Sequence, residues 1–217
     1  MKEKFDDRRS IAIISLGLYI IWLLFFASVD LTILSFLKHA LFLGIILFLN
    51  RKDLFSSFKD LLKDKKKFNW IIGSFAIVFI LMIIGGVLQT VISPAEFTSD
   101  TSNSILTKFI INTPWGTLFS LFIIVGFTAL MEEIIYRKSL RPFINNKYLF
   151  IIMSAILGWY FQVTLTNPSI AEFINSLPIF LISLYLGFIY AKKENIWYSY
   201  FPRILYNILA IALILFT

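Results

Sequence analysis

Residues 131–137 read Met-Glu-Glu-Ile-Ile-Tyr-Arg and close an apolar run that begins at Leu118. The run has the character of a membrane-spanning helix, so two adjacent carboxylates and an arginine stand at its end. Charged side chains inside a membrane are costly unless they are paired or used. This stretch is therefore a candidate functional site.

The composition places the whole chain in a membrane. Hydrophobic residues make up 59% and charged residues 15% of the chain, against roughly 45–50% and about 25% in soluble domains. Most of its apolar segments are close to the ~20 residues that cross a bilayer. The chain has seven apolar segments in all, at 11–27, 31–49, 69–92, 115–136, 148–166, 170–191 and 196–216. They predict an all-α, polytopic transmembrane helix bundle that forms a single domain, 1–217.

The positions of lysine and arginine predict the orientation of the bundle. Seventeen of the 20 lie in four segments that fall on one side of the predicted spans: before residue 10, at 51–67, at 137–147 and at 192–193. Positive charge of this kind marks the cytoplasmic side, so we expect a cytoplasmic N-terminus. The net charge of +7 therefore reflects the topology of the chain and the contact of its basic side with the lipid bilayer. It does not indicate a nucleic-acid partner. Abundant Phe, Ile, Lys and Asn are typical of AT-rich bacterial genomes, so we expect a multi-pass bacterial cell-membrane protein.

Several local patterns predict details of the fold. In the basic segment 51–68, apolar residues recur at helical spacing, which predicts a separate amphipathic helix in the cytoplasmic interface, an anchor more than a partner site. Thr113-Pro114 and 169–172 carry the signals of helix starts. Pro178 and Pro202 fall inside predicted spans and are expected to kink them.

Thiolate chemistry is excluded because the chain has no cysteine, and its one histidine is His39. A zinc site would need carboxylates for its other ligands. We therefore expect neither a metal nor a cofactor.

The two glutamates have different geometric relations to the arginine. Glu133 and Arg137 are four residues apart, so they share a helix face and can neutralise each other. Glu132 points about 100° away and lacks that partner, so it could take a proton from water as a general base. In the alternative interpretation both glutamates merely lie at the cytoplasmic headgroup level.

The last span carries a polar stripe, Ser199, Arg203 and Asn207, at successive four-residue steps. Such a stripe is expected to face the bundle interior. Arg203 lies at about the depth of the glutamates, and an ion pair with Glu132 or Glu133 is the simplest way to hold it there. Gln162 in the fifth predicted span is either a site residue or a hydrogen-bonding contact between helices.

The order of these residues resembles the CPBP family of membrane proteins, also called the Abi or CAAX protease family. The family pattern is Glu-Glu-x-x-x-Arg, then Phe-x-x-x-His, then His-x-x-x-Asn, and the likeness covers about residues 115–216. In active members the first Glu and the first His activate water, while the second His and the Asn stabilise the oxyanion. The resemblance implies that Glu132 is the base, that Glu133 and Arg137 support it, and that Asn207 is the oxyanion donor.

The chain departs from this pattern at both histidines. Gln162 stands at the first histidine position and Arg203 at the second, while Gly158 replaces the phenylalanine. Gln162 could orient a water but cannot accept its proton, and general acid–base help is typically worth ~10²- to 10⁴-fold. Family membership is thus better supported than catalytic competence.

Three functions follow from these residues. The first is a degenerate family member that acts by binding a peptide, a bacteriocin or a membrane-protein partner, as in bacteriocin self-immunity or regulation. The second is an active intramembrane glutamate endopeptidase that cleaves peptides or proteins presented at the cytoplasmic side. Transport is supported only by the buried charges, and the sequence has no inverted repeat to favour it.

Overall fold

The computed structural model describes residues 2–25, 33–92, 118, 122, 126, 127, 129–164 and 176–216. Every regular element in these ranges is helical, which confirms the all-α prediction for this part of the chain. The elements are α1 (Lys2–Phe25), α2 (Ile33–Lys63), α3 (Lys67–Ile92), α4 (Ala129–Glu132), a π-helix (Glu133–Ser139), a 3₁₀ turn (Arg141–Phe143), α5 (Lys147–Thr164), α6 (Leu177–Lys193) and α7 (Trp197–Phe216).

The membrane character is clearest in α3. Within the described residues, Lys67–Leu88 is the one stretch of helix long and apolar enough to cross a bilayer. Only 17% of its most apolar window is buried, whereas the core helix of a soluble protein would be mostly buried. Its exposed isoleucines and valines therefore suit a lipid environment. The count of seven spans stays a prediction from the sequence.

The described helices pack around α6 and the π-helix. α6 lies against α5 on one side and α3 on the other, while α1 covers the π-helix. The main apolar core joins α1, α2 and the α4–π-helix segment through residues such as Trp22, Ile46 and Ile134. A smaller cluster of Val78, Ile182 and Leu186 joins α3 to α6.

The basic segments meet at one end of this bundle, as the sequence predicted. Three contacts each join two of the segments: Arg9 Nη2 to the Pro142 carbonyl (3.4 Å), Lys138 Nζ to Asp53 (3.2 Å) and Lys193 Nζ to Asp64 (3.5 Å). A fourth contact joins Arg141 Nη2 to Glu194 (3.3 Å), the residue that follows the last segment. Acidic side chains between the basic ones thus hold the segments together. That this end is cytoplasmic remains an expectation from the positive-inside rule.

The prediction that the segment 51–68 is helical is confirmed for 51–63, but these residues do not form a separate interfacial helix. Residues 51–63 continue α2 without a break, which makes it a single helix of 31 residues, about 46 Å long at 1.5 Å per residue. Its apolar side is buried only in part, because Phe55 and Leu62 are exposed. Leu54 and Leu61 are buried, and Trp197 Nε1 at the start of α7 donates to the Leu54 carbonyl (3.2 Å).

The prediction for Pro178 is also wrong, because α6 begins at Leu177 and places the proline in its first turn. There its missing N–H costs no helical hydrogen bond. Gly85 of α3 packs directly on this proline: a Cβ at Gly85 would lie 2.6 Å from Pro178 Cα. Pro202 does lie inside a helix, as predicted. The expected helix starts at Thr113-Pro114 and 169–172 fall outside the described residues.

Candidate functional site

The two glutamates lie where the backbone changes from α-helix to π-helix. Glu132 ends α4, and Glu133 begins the seven-residue π-helix. π-Helical turns are rare and are frequent at functional sites. Every residue from Ala129 to Arg137 is buried, and the exposed fractions of Glu132 and Glu133 are 6% and 0%. Both carboxylates are therefore enclosed by the protein and not exposed on its surface.

Glu133 is held by partners on both of its oxygens. Arg137 Nη1 donates to Oε1, which confirms the i,i+4 pair predicted from spacing. The Ser199 hydroxyl of α7 donates to Oε2 at 2.5 Å. Both carboxylate oxygens are thus engaged, and this glutamate ties the π-helix to α7.

Glu132 forms an ion pair with Arg203 of α7. Arg203 Nη2 contacts Glu132 Oε2 in an ion pair whose side chains are 7% and 8% exposed. The predicted ion pair is therefore confirmed, and the structure selects Glu132 as the partner. The two glutamates and two arginines together carry no net charge, which is how the interior can hold all four.

The polar stripe of α7 faces the bundle interior as predicted. Ser199, Arg203 and Asn207 are all buried. Asn207 lies one turn beyond Arg203 on α7. Asn207, the oxyanion donor implied by the family resemblance, therefore lies on the same helix face as Arg203, which pairs with Glu132.

Two tyrosines that the sequence analysis did not single out adjoin these charges. The hydroxyls of Tyr19 and Tyr136 are hydrogen-bonded at 2.5 Å, and their rings meet edge to face at 5.7 Å. Tyr136 lies within residues 131–137, yet its partner is on α1. Since no local spacing relates α1 to the π-helix, the sequence carried no signal for this contact.

Gly158 of α5 explains one departure from the family pattern. A Cβ at this glycine would lie 3.4 Å from the Tyr136 ring and 3.6 Å from Ser183 Oγ. The Tyr136 ring thus occupies the space into which a phenylalanine side chain at 158 would extend. Gln162 belongs to the same helix, α5, but its side chain lies outside the described part of the structure.

His39 lies in an aromatic environment. Its ring stands edge-on to Trp22 at 4.6 Å and to Phe127 at 4.9 Å. Among the residues that the structure describes, no three His, Asp or Glu side chains cluster in a way that could hold a metal ion.

The arrangement limits what the site can do chemically. A general base needs a carboxylate oxygen within reach of a water molecule, yet Glu132 Oε2 is held by Arg203 and both Glu133 oxygens have donors. Arginine stays protonated and cannot accept a proton. The described groups therefore form a mutually neutralising network, in which the buried Nε atoms of Arg137 and Arg203 have no hydrogen-bond partner.

One comparison with known proteins gives a match. Residues 113–209 match the family model described as type II CAAX prenyl endopeptidase Rce1-like. This segment contains Glu132, Glu133, Arg137, Arg203 and Asn207, so the match confirms the resemblance to CAAX protease-like proteins. No curated protein and no solved structure matches the chain significantly.

Proposed function

We propose that the chain is a catalytically degenerate member of the Rce1-like family of type II CAAX prenyl endopeptidases, whose family model matches residues 113–209. It acts by binding a peptide or a membrane partner, as in bacteriocin self-immunity or the regulation of another membrane protein. The bacterial cell membrane is its expected location, with the charged end of the bundle in the cytoplasm.

The ion pair between Glu132 and Arg203 carries this proposal. Glu132 stands where the family pattern has the water-activating base, and Arg203 stands where it has the second histidine. A neutral histidine can accept a proton and then donate it, whereas arginine can only donate. The substitution thus replaces a histidine that stabilises the oxyanion in the family pattern with a permanent cation, and that cation pairs with one oxygen of the Glu132 carboxylate.

A working endopeptidase with a modified site is the second candidate. The buried Asn207 and the intact Glu133–Arg137 pair favour it, because both match the family pattern. In that case Arg203 would stabilise the oxyanion electrostatically and would have to release Glu132 when substrate enters.

The experiment that separates the two candidates is a cleavage assay on the purified full-length protein with a prenylated CAAX peptide. We expect the wild type and Glu132→Gln to give the same amount of product as a protein-free control. A product formed by the wild type and lost in Glu132→Gln would overturn the proposal and establish the second candidate.

A variant that restores both histidines extends the test. Gln162→His combined with Arg203→His returns the water-activating and the oxyanion-stabilising histidine of the family pattern and removes the cation from Glu132. Degeneracy predicts a gain of cleavage that disappears again when Glu132→Gln is added. A wild type that already cleaves as fast as this double variant would contradict the loss of activity.

A further inference from the structure

A polar cavity of about 420 Å³ lies at the charged end of the bundle. α1 contributes Arg8 to its wall, α2 contributes 50–60, and the segment from Lys138 to Asn145 forms another side. Its volume falls within the roughly 300–1,000 Å³ of ligand-binding pockets. Glu132, Glu133 and Arg203 are not in its wall, so it is distinct from the buried ion-pair site.

The wall carries equal numbers of positive and negative side chains. The cations are Arg8, Lys138 and Arg141, and the anions are Asp53, Asp60 and Glu194. Two internal ion pairs account for four of them, Lys138 with Asp53 at 3.2 Å and Arg141 with Glu194 at 3.3 Å. The cavity wall thus carries both signs of charge, and Arg8 and Asp60 are the two charges that these internal ion pairs do not include.

The remaining two charges are open to a ligand. Arg8 is exposed and forms no ion pair with any residue that the structure describes. Asp60 contacts Lys63 at 3.7 Å, but these side chains are 64% and 79% exposed, and such pairs contribute little. A ligand bearing both signs of charge could engage Arg8 and Asp60 together.

Ser139 gives a second, independent indication of a ligand. This residue lies in the cavity wall, is 1% exposed, and its hydroxyl has no hydrogen-bond partner. Buried polar groups without partners are rare and unfavourable. A bound molecule with a donor or acceptor at this point would satisfy the hydroxyl.

We propose that this cavity binds a short polar peptide segment that carries charges of both signs. A purely anionic ligand would meet three carboxylates, and a purely cationic one would meet three basic groups. A peptide also presents backbone N–H and C=O groups to the serine and asparagine side chains of the wall. This inference rests on the proposed binding function and names the chemical class of the partner.

A single fluorescent label tests the proposal. The chain has no cysteine, so Ser56→Cys places one thiol on an exposed position of the cavity wall. The labelled full-length protein in nanodiscs is titrated with the capped tetrapeptide acetyl-Lys-Glu-Lys-Glu-amide. We expect a saturable change with this peptide and none with inorganic phosphate or acetyl-Ala-Val-Ile-Ala-amide. An equal response to either control ligand, or none to the charged peptide, would overturn the proposal.

Charge variants locate the binding in the cavity. Arg8→Gln and Asp60→Asn each remove an exposed lining charge, and we expect each to weaken the tetrapeptide about two- to fivefold, because an exposed ion pair contributes at most about 1 kcal/mol. The matched controls Arg51→Gln and Asp7→Asn remove exposed charges outside the wall and leave the Kd unchanged. Unaltered binding by both cavity variants refutes the site.

The outcome is separable from that of the cleavage assay. Wild-type cleavage of a prenylated peptide would end the proposal of a degenerate enzyme and leave a positive titration standing. If the charged peptide does not bind, the proposal of a polar-peptide ligand is wrong, and the proposal that Glu132 is catalytically inactive is unaffected.

Discussion

Removing Arg203 would leave the Glu132 carboxylate buried without its counter-charge. Glu132 is 6% exposed and Arg203 Nη2 contacts its Oε2. Breaking a buried ion pair by deleting one partner typically costs about 3–5 kcal/mol. For a chain of this size each kcal/mol corresponds to about 2–4 °C in melting temperature. Arg203→Ala should therefore lower the Tm by about 6–20 °C.

The double variant separates the pair from the loss of packing. Glu132→Gln in the Arg203→Ala background removes the stranded charge, so we expect part of the lost stability to return. The remaining deficit reflects the space vacated by the arginine side chain. Lys63→Ala is the matched control, because its pair with Asp60 is highly exposed and should contribute at most about 1 kcal/mol.

The assay heats the detergent-solubilised variants and measures the fraction that still elutes as a monodisperse peak on size-exclusion chromatography. The expected order of midpoints is wild type and Lys63→Ala together, then the double variant, then Arg203→Ala. A double variant that melts no higher than Arg203→Ala would show that relief of an unpaired carboxylate contributes nothing, and the argument from burial would fail.

Three further predictions concern single side chains. Ser199→Ala removes a donor from the buried carboxylate of the i,i+4 pair and should cost about 1.5–3 kcal/mol; Ser154→Ala, at a buried hydroxyl without a partner, should be almost neutral in the same melts. Gly85→Ala drives a Cβ into the proline at the start of α6 and should cost about 1–3 kcal/mol, whereas Gly86→Ala, which meets open space, should not destabilise the protein. The hydrogen bond from the Tyr198 hydroxyl, together with a backbone N–H and a lysine, lowers the pKa of Asp64. The contribution of the ionised Asp64 to stability is present above its unfolded pKa of about 3.9 and is lost as the pH falls through the lower folded value. Asp64→Asn should therefore flatten the acid side of the plot of Tm against pH.

The failed prediction for α2 shows where hydropathy misleads. Hydropathy ends the second span at 49 because charges follow, although 45–63 contains neither glycine nor proline to stop a helix. Charge sets where a helix leaves the apolar phase, whereas backbone chemistry sets where the helix ends. For the same reason Pro178 was better read as a first-turn residue than as a kink within a longer span.

The sequence by itself determined the helical membrane class, the Glu133–Arg137 pair and the buried stripe of α7. Each follows from composition or from spacing within one helix, where geometry is fixed at 3.6 residues per turn. It also narrowed the partner of Arg203 to two adjacent glutamates.

Only the tertiary structure decided which glutamate forms the ion pair with Arg203. It also placed the Ser199 hydroxyl as a donor to Glu133 and the Tyr19 hydroxyl in a hydrogen bond with that of Tyr136. The polar cavity likewise exists only where α1, α2 and the π-helix converge. These contacts join helices far apart in the chain, and the wider π-helical turn shifts the register of the side chains that follow it. No periodicity within one segment encodes such cross-helix distances, because they depend on how whole helices pack.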